Sequence, residues 1–406
     1  MPLSRRQVYR RRRLTVFGAL ALVLAALIYV VTAATAAVPA VAATVAKPAA
    51  VSAKAAQPDW PGYGAGALGA VGFPGVLDTH GDQSPVPIAS ITKMVTALLI
   101  LEAKPLSGTE QGPKITFTDK DVDIYYDSLA QDGSVAPVVP GMVLTERQAL
   151  EGMLLPSANN YALTLVNWAY GSESAYLPVA AAWLHQHGLD DTTVTDTSGI
   201  SPSSRSTPAD LVELAKLVVA NPVLASIVAM PTVTLPTVGT LTNTNKLLGS
   251  HGVTGIKTGT TDEAGACLLF SARVPVGDTT VTLVGVLLGG DTHPQLNDDI
   301  AALIDSVQPG FQQLTLTHKG DAYGRYTSDW GQSAKLVAAA DATTLVWSDT
   351  PVTASVSARP LTGGHAGEKA GTVQFSGGVQ PVSVPLVLAD DLTGPGLGWK
   401  LTHPCR

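Results

Sequence analysis

The stretch Pro87-Ile-Ala-Ser-Ile-Thr-Lys-Met94 places a serine, Ser90, three residues before a lysine, Lys93. Apolar residues recur from there to Leu99 at spacings of three and four, which is typical of a helix with one buried face. On such a helix Ser90 and Lys93 lie one turn apart on the same side. A serine hydroxyl is a weak nucleophile unless a nearby base removes its proton. We therefore predict that Ser90 is a catalytic nucleophile and that Lys93 is its general base.

A second cluster, Ser157-Ala-Asn159, follows Pro156, which interrupts a helical pattern. We expect these residues at a break between two helices, where the Ser157 hydroxyl could relay a proton and the Asn159 amide could hold a substrate backbone. Taken alone, such residues could equally be ordinary helix caps. They gain weight because they follow the serine-lysine pair in a fixed order, which is rare by chance.

A third cluster, Lys257-Thr-Gly-Thr260, is expected to form another wall of the same cleft. Gly259 would let a substrate strand approach the backbone closely. The hydroxyls of Thr258 and Thr260 and the Lys257 cation suit a carboxylate. Burial and the charge of Lys257 would both lower the pKa of Lys93, so that the base could be neutral near pH 7. The backbone N–H groups of Ser90 and Thr260 would then form an oxyanion hole.

Charge is distributed unevenly along the 406 residues. Residues 1–13 carry six arginines and no acid, and the remainder holds 19 basic against 32 acidic side chains, a net charge of −13. A body this acidic is a poor candidate for binding nucleic acid. Because basic residues precede the apolar residues 14–36, we predict a single-pass membrane anchor with the body outside the cytoplasm. A signal peptide cleaved near Ala34-Thr-Ala36 would instead give a secreted protein.

The cysteines and histidines predict neither a disulfide framework nor a metal site. Cys267 lies in an apolar run and is expected to be a small buried residue, although an oxidising compartment would permit one bond to Cys405. The eight histidines show no ligand spacing. We expect no metal and no cofactor.

Composition and periodicity divide the chain into five segments. Residues 1–13 and 14–36 are followed by an Ala/Pro-rich linker at 37–59, a region of mixed helix and strand patterns at 60–311, and short strand patterns alone at 312–406. Helix signals include a capping box at Thr145-Glu-Arg-Gln148, and a hairpin is expected around Pro275-Val-Gly-Asp278. The predicted fold class is therefore α+β with a small C-terminal all-β domain, for which we expect a spacer or docking role.

Together, the three clusters resemble those of penicillin-binding proteins and class A β-lactamases, which share Ser-x-x-Lys, Ser-x-Asn and Lys-Thr-Gly elements. Within that superfamily the chain resembles a D-alanyl-D-alanine carboxypeptidase, a low-molecular-mass penicillin-binding protein. The resembling stretches are Pro87–Met94, Leu154–Asn160, Asp196–Ile200, Asn243–Leu248, Gly255–Thr261 and Glu263–Gly265. The resemblance implies a serine D,D-peptidase fold, in which an antiparallel sheet packs with a helical cluster.

The resemblance also implies an activity. Ser90 would attack the peptide bond between the last two D-alanines of a peptidoglycan stem peptide, D-alanine would leave, and water would clear the acyl-enzyme. Ser90, Lys93 and Ser157 would be catalytic, and the substrate-binding residues would be Asn159, Lys257, Thr258, Gly259 and Thr260. The expected partners are peptidoglycan stem peptides, with β-lactams as slow-leaving covalent inhibitors.

Relatives commonly carry an arginine shortly after a Gly-Gly pair, where it helps to hold the terminal carboxylate. Here Gly289-Gly290 is followed by residues 291–297 without an arginine, so Thr258 and Thr260 would carry more of that recognition. A class A β-lactamase would need a glutamate that activates water, and neither Glu173 nor Glu213 has a long loop around it. A D,D-endopeptidase and a non-catalytic penicillin-binding sensor remain open alternatives, because both would use the same residues.

Overall fold

The computed structural model describes residues 4–403. The chain forms two compact units. The mixed unit contains Lys54–Gln313 together with Trp347–Asp349, and the β unit contains the described residues up to Ala53, Leu314–Val346 and the residues from Thr350 onward. Cys267 is buried and free of any disulfide among the described residues, and its possible partner Cys405 lies outside them.

Within residues 4–403 the α-helices are α1 (Arg5–Thr35), α2 (Thr92–Ala103), α3 (Asp119–Ala130), α4 (Glu146–Leu154), α5 (Asn159–Tyr170), α6 (Glu173–Gln186), α7 (Pro208–Ala220), α8 (Pro222–Val228), α9 (His293–Val307) and α10 (Leu397–Thr402). Two 3₁₀ turns lie at Ala89–Ile91 and Gln308–Gly310.

The strands of the same part of the chain are β1 (Ala43–Val45), β2 (Ala65–Ala70), β3 (Asp78–His80), β4 (Val86–Pro87), β5 (Lys114–Thr116), β6 (Val143–Thr145), β7 (Arg205–Ser206), β8 (Thr232–Leu235), β9 (Gly239–Thr242), β10 (Val253–Thr261), β11 (Gly265–Val276), β12 (Thr279–Gly290), β13 (Phe311–Thr317), β14 (Ala322–Thr327), β15 (Ser333–Ala338), β16 (Ala342–Trp347), β17 (Thr353–Ala358), β18 (Lys369–Ser376) and β19 (Val382–Leu388).

The mixed unit is built on a five-stranded antiparallel sheet with strand order β10-β11-β12-β2-β3. Strands β11 and β12 form the predicted hairpin, and β10 is an edge strand. Leu283 and Val284 are consecutive on β12 and both buried, and consecutive side chains point to opposite faces of a sheet. Both faces are therefore covered, and helices α7 and α9 pack against β11 and β12. The predicted α+β class is confirmed.

Helix α2 lies inside a cluster formed by α4, α5, α6 and α7. Its first six residues, Thr92 to Ala97, are all buried, and so is the lysine among them. The sequence pattern predicted one buried face, but the surrounding helices bury α2 on every side. A helix buried in this way removes water from any polar group that it carries.

Local signals account for most helix starts. The predicted capping box is present at the start of α4, where the Thr145 hydroxyl accepts from the Gln148 N–H. Helix α6 begins earlier than the expected Tyr176 because the Ser172 hydroxyl accepts from the Ala175 N–H. Asn221, expected only to close α7, also caps the unpredicted α8.

The β unit is a six-stranded antiparallel sheet with strand order β1-β14-β15-β19-β18-β17. Strand β1 belongs to residues 37–59, where a free linker was expected, and it pairs with β14. Val41 and Val51 also form bridges, to Leu361 and Val352. Valine favours strands, so this Val-rich segment completes the sheet edge although its prolines suggested an extended spacer.

Helix α1 has 31 residues and contains the arginine-rich segment as well as the apolar one. It is long and apolar enough to cross a membrane, with a mean hydropathy of 2.7 over its most apolar window. A helix of this kind near the N-terminus is a membrane anchor or a signal sequence.

Candidate active site

Ser90 lies in the 3₁₀ turn Ala89–Ile91, which continues directly into α2 and contacts strands β10 and β11. Ala89 has a φ of 45°, a left-handed conformation that costs energy for a residue other than glycine. Gly199 packs against this turn so closely that a Cβ atom there would clash with the Ala89 carbonyl oxygen. Ser90 itself is half-buried, and its position is fixed by backbone packing from several directions.

Lys93 is completely buried one turn after Ser90. Its Nζ lies 2.8 Å from Ser90 Oγ, 2.7 Å from Asn159 Oδ1 and 3.0 Å from the Ser198 carbonyl oxygen. Burial holds the pKa of Lys93 well below its ordinary value, and the charge of Lys257 lowers that pKa further, while Asp196 acts in the opposite direction. The amine is therefore poised to lose its proton.

The three acceptors around Lys93 define what each protonation state does. A charged ammonium donates to all three, whereas a neutral amine keeps two N–H groups for Asn159 and Ser198 and turns its lone pair to Ser90. In the neutral state the Ser90 hydroxyl donates to Lys93. This is the arrangement that a nucleophile and its general base require.

Ser198 is a functional position for which sequence analysis assigned no role. The Asp196 carboxylate organises its loop, because it accepts hydrogen bonds from the N–H groups of Ser198, Gly199 and Ser201 and from the Ser204 hydroxyl. This network aims the Ser198 carbonyl at Lys93. The Asp-Thr-Ser-Gly order was a usable signal, since such residues form turns held by a side-chain carboxylate.

Ser157 and Asn159 lie at the break between α4 and α5, as predicted. Ser157 is nearly buried and has a φ of 66°, a second left-handed residue beside the cleft. Asn159 is the first residue of α5, and its amide oxygen accepts from Lys93. Asn159 thus orients the base, and its role in substrate binding stays a prediction.

Strand β10 carries the third cluster along the edge of the sheet. Lys257 is buried, its Nζ donates to the Thr258 carbonyl oxygen at 2.9 Å, and burial lowers the pKa of Lys257 to about 7. At Gly259 a Cβ atom would lie 2.9 Å from the Ile88 carbonyl oxygen and 3.3 Å from the Ser90 nitrogen. Only glycine allows the strand to approach the Ser90 turn this closely.

A cavity of about 390 Å³ opens over these residues. Ser90, Ser157, Thr258, Gly259 and Thr260 all line it. Lys93, Asn159 and Lys257 are buried. Among the described strands none pairs with the outer edge of β10, so an extended peptide could bind there by strand addition.

Sequence analysis did not assign Lys246 and His293, which also line the cavity. His293 is the first residue of α9, far along the chain from Ser90. Neither residue belongs to a local motif, so only the folded chain brings them to the cavity.

Comparison with known proteins matches residues 75–292, more than half of the chain, to the family model of D-alanyl-D-alanine carboxypeptidase, Peptidase S11. The chain belongs to this family. All three clusters fall within the matched span, and the predicted family membership is confirmed.

Individual relatives agree with the family assignment. The chain is 27% identical to the D-alanyl-D-alanine carboxypeptidase DacF of Bacillus subtilis over 53% of this chain and 54% of that protein. It is 33% identical to DacB2 of Mycobacterium tuberculosis, which bears the same enzyme name, over 44% of this chain and 59% of that protein. The chain thus spans somewhat more than half the length of these curated relatives.

A solved structure of the Streptomyces K15 DD-transpeptidase is similar in fold. It is 26% identical, has a TM-score of 0.54, and covers 61% of this chain and 98% of its own. The mixed unit therefore has the serine D,D-peptidase fold that the resemblance implied.

Replacing Lys257 by methionine is expected to shift the pH dependence of acylation upward. The charge of Lys257 lowers the pKa of Lys93, so its removal raises that pKa, and the neutral base is populated only at higher pH. The measurement is the rate constant for acylation of Ser90 by benzylpenicillin between pH 5 and pH 10. Lys246→Met is the matched control, because it removes another lysine of the same site that does not contribute to the Lys93 shift. An unchanged or lowered midpoint in Lys257→Met would contradict the electrostatic coupling.

Proposed function

We propose that this chain is a serine-type D-alanyl-D-alanine carboxypeptidase that removes the terminal D-alanine from peptidoglycan pentapeptide stems. The observation that carries the proposal is the buried Lys93 amine 2.8 Å from Ser90 Oγ, beside a cavity bordered by an unpaired strand edge. A neutral lysine in this position makes the serine a nucleophile without a histidine.

In the acylation step the stem peptide lies along β10, with its last peptide bond over Ser90. Ser90 Oγ forms a bond to the carbonyl carbon of the penultimate D-alanine, and its proton passes to Lys93. The N–H groups of Ser90 and Thr260 stabilise the developing oxyanion. The C–N bond then breaks, and the leaving amine takes the proton from Lys93 through the Ser157 hydroxyl.

In the deacylation step water attacks the ester between Ser90 and the shortened peptide. Lys93, neutral again, accepts a proton from the water and returns it to Ser90 Oγ as the ester bond breaks. A penicillin acylates Ser90 in the same way, but its amine stays tethered to the acyl group and obstructs water. β-lactams are therefore proposed as covalent inhibitors of the site.

Recognition of the terminal carboxylate is assigned to the β10 wall. Thr258 and Thr260 are two residues apart on one strand and so point to the same side, toward the cavity. Lys257 adds positive charge beneath them when it is protonated. A carboxylate fits this set better than a neutral terminus does.

The test is D-alanine release from a soluble pentapeptide stem ending in D-Ala-D-Ala, using the full chain in detergent micelles. Release that stops when the protein is first acylated with benzylpenicillin supports the proposal. Cleavage of a cross-linked stem dimer without release from the monomer would favour the endopeptidase. Penicillin labelling with neither reaction would favour the sensor.

We further propose that α1 is retained as a single-pass anchor that places both units outside the cytoplasm. The apolar run is longer than the core of an ordinary signal peptide, about 7–15 residues, and it follows six arginines. Mass analysis of the membrane-bound protein is expected to find peptides from residues 1–33. A mature protein that starts near Ala37 would show cleavage instead.

A further inference from the structure

His293 makes one specific contact in the cavity, with a residue already assigned to carboxylate recognition. Its Nε2 lies 2.7 Å from Thr260 Oγ1. Thr260 is an exposed residue of the edge strand β10, whereas the imidazole is half-buried at the start of α9. The helix thus supports the threonine hydroxyl from behind.

The direction of this hydrogen bond decides what Thr260 can offer a ligand. If the Thr260 hydroxyl donates to His293, its only proton is used within the protein and the ligand meets lone pairs. If His293 Nε2–H donates to Thr260, the hydroxyl proton is free to be donated to a ligand.

The surroundings of the other ring nitrogen favour the second arrangement. Nδ1 is buried and has no hydrogen-bond partner among the described residues. A proton on Nδ1 would therefore be a buried donor without an acceptor, which is costly. Burial and the charge of Lys257 lower the pKa of His293, so the ring is neutral near pH 7 and carries its single proton on Nε2.

The cavity around this hydroxyl suits an anion. Its lining includes Lys246, Thr244 and Thr258 and, within residues 4–403, no aspartate or glutamate. Thr258 Oγ1 is 2.6 Å from Thr244 Oγ1, so the two wall hydroxyls are both held by partners inside the protein.

We propose that His293 is a positioning residue that fixes the Thr260 hydroxyl as a hydrogen-bond donor to the terminal carboxylate of the substrate. This rests on the proposed carboxypeptidase function and assigns a specificity role to a residue outside the three clusters. In this chain, where no arginine follows Gly290, the His293-Thr260 pair supplies a donor for that carboxylate.

The test compares two pentapeptides that differ only at the C-terminus, one ending in a free carboxylate and the other in a primary amide. For His293→Leu in the full chain, kcat/KM for the carboxylate substrate is expected to fall about tenfold to a hundredfold, mainly through KM. The amide substrate should change by less than about threefold. His293→Gln, whose amide N–H can donate to Thr260, should restore most of the carboxylate preference.

A second measurement links the two residues. Thr260→Val should cause a similar loss, and His293→Leu should add little in the Thr260→Val background, because both changes remove the same donor. Equal losses on both substrates, failure of glutamine to rescue, or fully additive losses would overturn the proposal.

The same comparison can be made on acylation by benzylpenicillin and its methyl ester, which has no carboxylate. This arm keeps the two proposals distinguishable. Absence of D-alanine release by the unaltered chain would count against the carboxypeptidase, while the acylation rates would still decide the role of His293. An unchanged preference for the free acid in His293→Leu would reject that role even if D-alanine release is normal.

Discussion

Replacement of Ser90 by alanine is expected to abolish both D-alanine release and covalent labelling by penicillin. The Ser90 oxygen is the atom that forms the acyl bond, and Lys93 Nζ lies 2.8 Å from it. Loss of a nucleophile typically lowers kcat by about 10⁴-fold to 10⁶-fold. The measurement is D-alanine release from the pentapeptide together with the mass of the protein after incubation with benzylpenicillin.

Ser134→Ala is the matched control, because Ser134 lines the same cavity and its only assigned contact is through the backbone. It should label and release D-alanine at near-normal rates. Ser90→Ala should keep its fold, since the side chain is small and half-buried. Stoichiometric labelling of folded Ser90→Ala would mean that another residue is the nucleophile.

Replacement of Lys93 by methionine is expected to slow acylation by about 10²-fold to 10⁴-fold, the usual contribution of a general base. Methionine is unbranched and of similar length, so it fills the buried site without the cavity that alanine would leave. Lys93→Ala should show at least the same loss of rate. Penicillin acylation followed by mass spectrometry gives the rate, and near-normal values in either folded variant would exclude Lys93 as the base.

The same lysine should leave a signature in stability. Its pKa is lowered in the folded protein, so between that pKa and the ordinary value of 10.5 the unfolded chain binds more protons. The contribution of Lys93 to the free energy of unfolding therefore rises with pH across this window. Denaturant unfolding of the unaltered chain relative to Lys93→Met should become more favourable to the unaltered chain as pH rises. A difference that is flat with pH would contradict a buried lysine with a lowered pKa.

Much of the fold and part of the site could be predicted because the signals are local. Ser90 and Lys93 are one helical turn apart, the capping box at Thr145 starts α4, and the turn at Gly277-Asp278 joins β11 to β12. Each depends on backbone geometry within a few residues, which the sequence specifies directly. The order of the three clusters was sufficient to predict the family.

Other elements depended on partners far along the chain. The valines of residues 37–59 favour a strand, but only pairing with β14 makes β1 part of a sheet. Asn221 and Pro222 suit both the end of one helix and the start of the next, so α8 could not be distinguished from a loop.

By itself the sequence determined which residues carry the chemistry: the serine, the lysine one turn later, and the edge-strand Lys-Thr-Gly segment. Tertiary structure decided how those residues behave. It buried Lys93 completely, placed Asn159, Ser198 and Lys257 around it, and brought His293 against Thr260. A pKa and the direction of a hydrogen bond depend on desolvation and on neighbours in space, and both are set only when distant segments pack together.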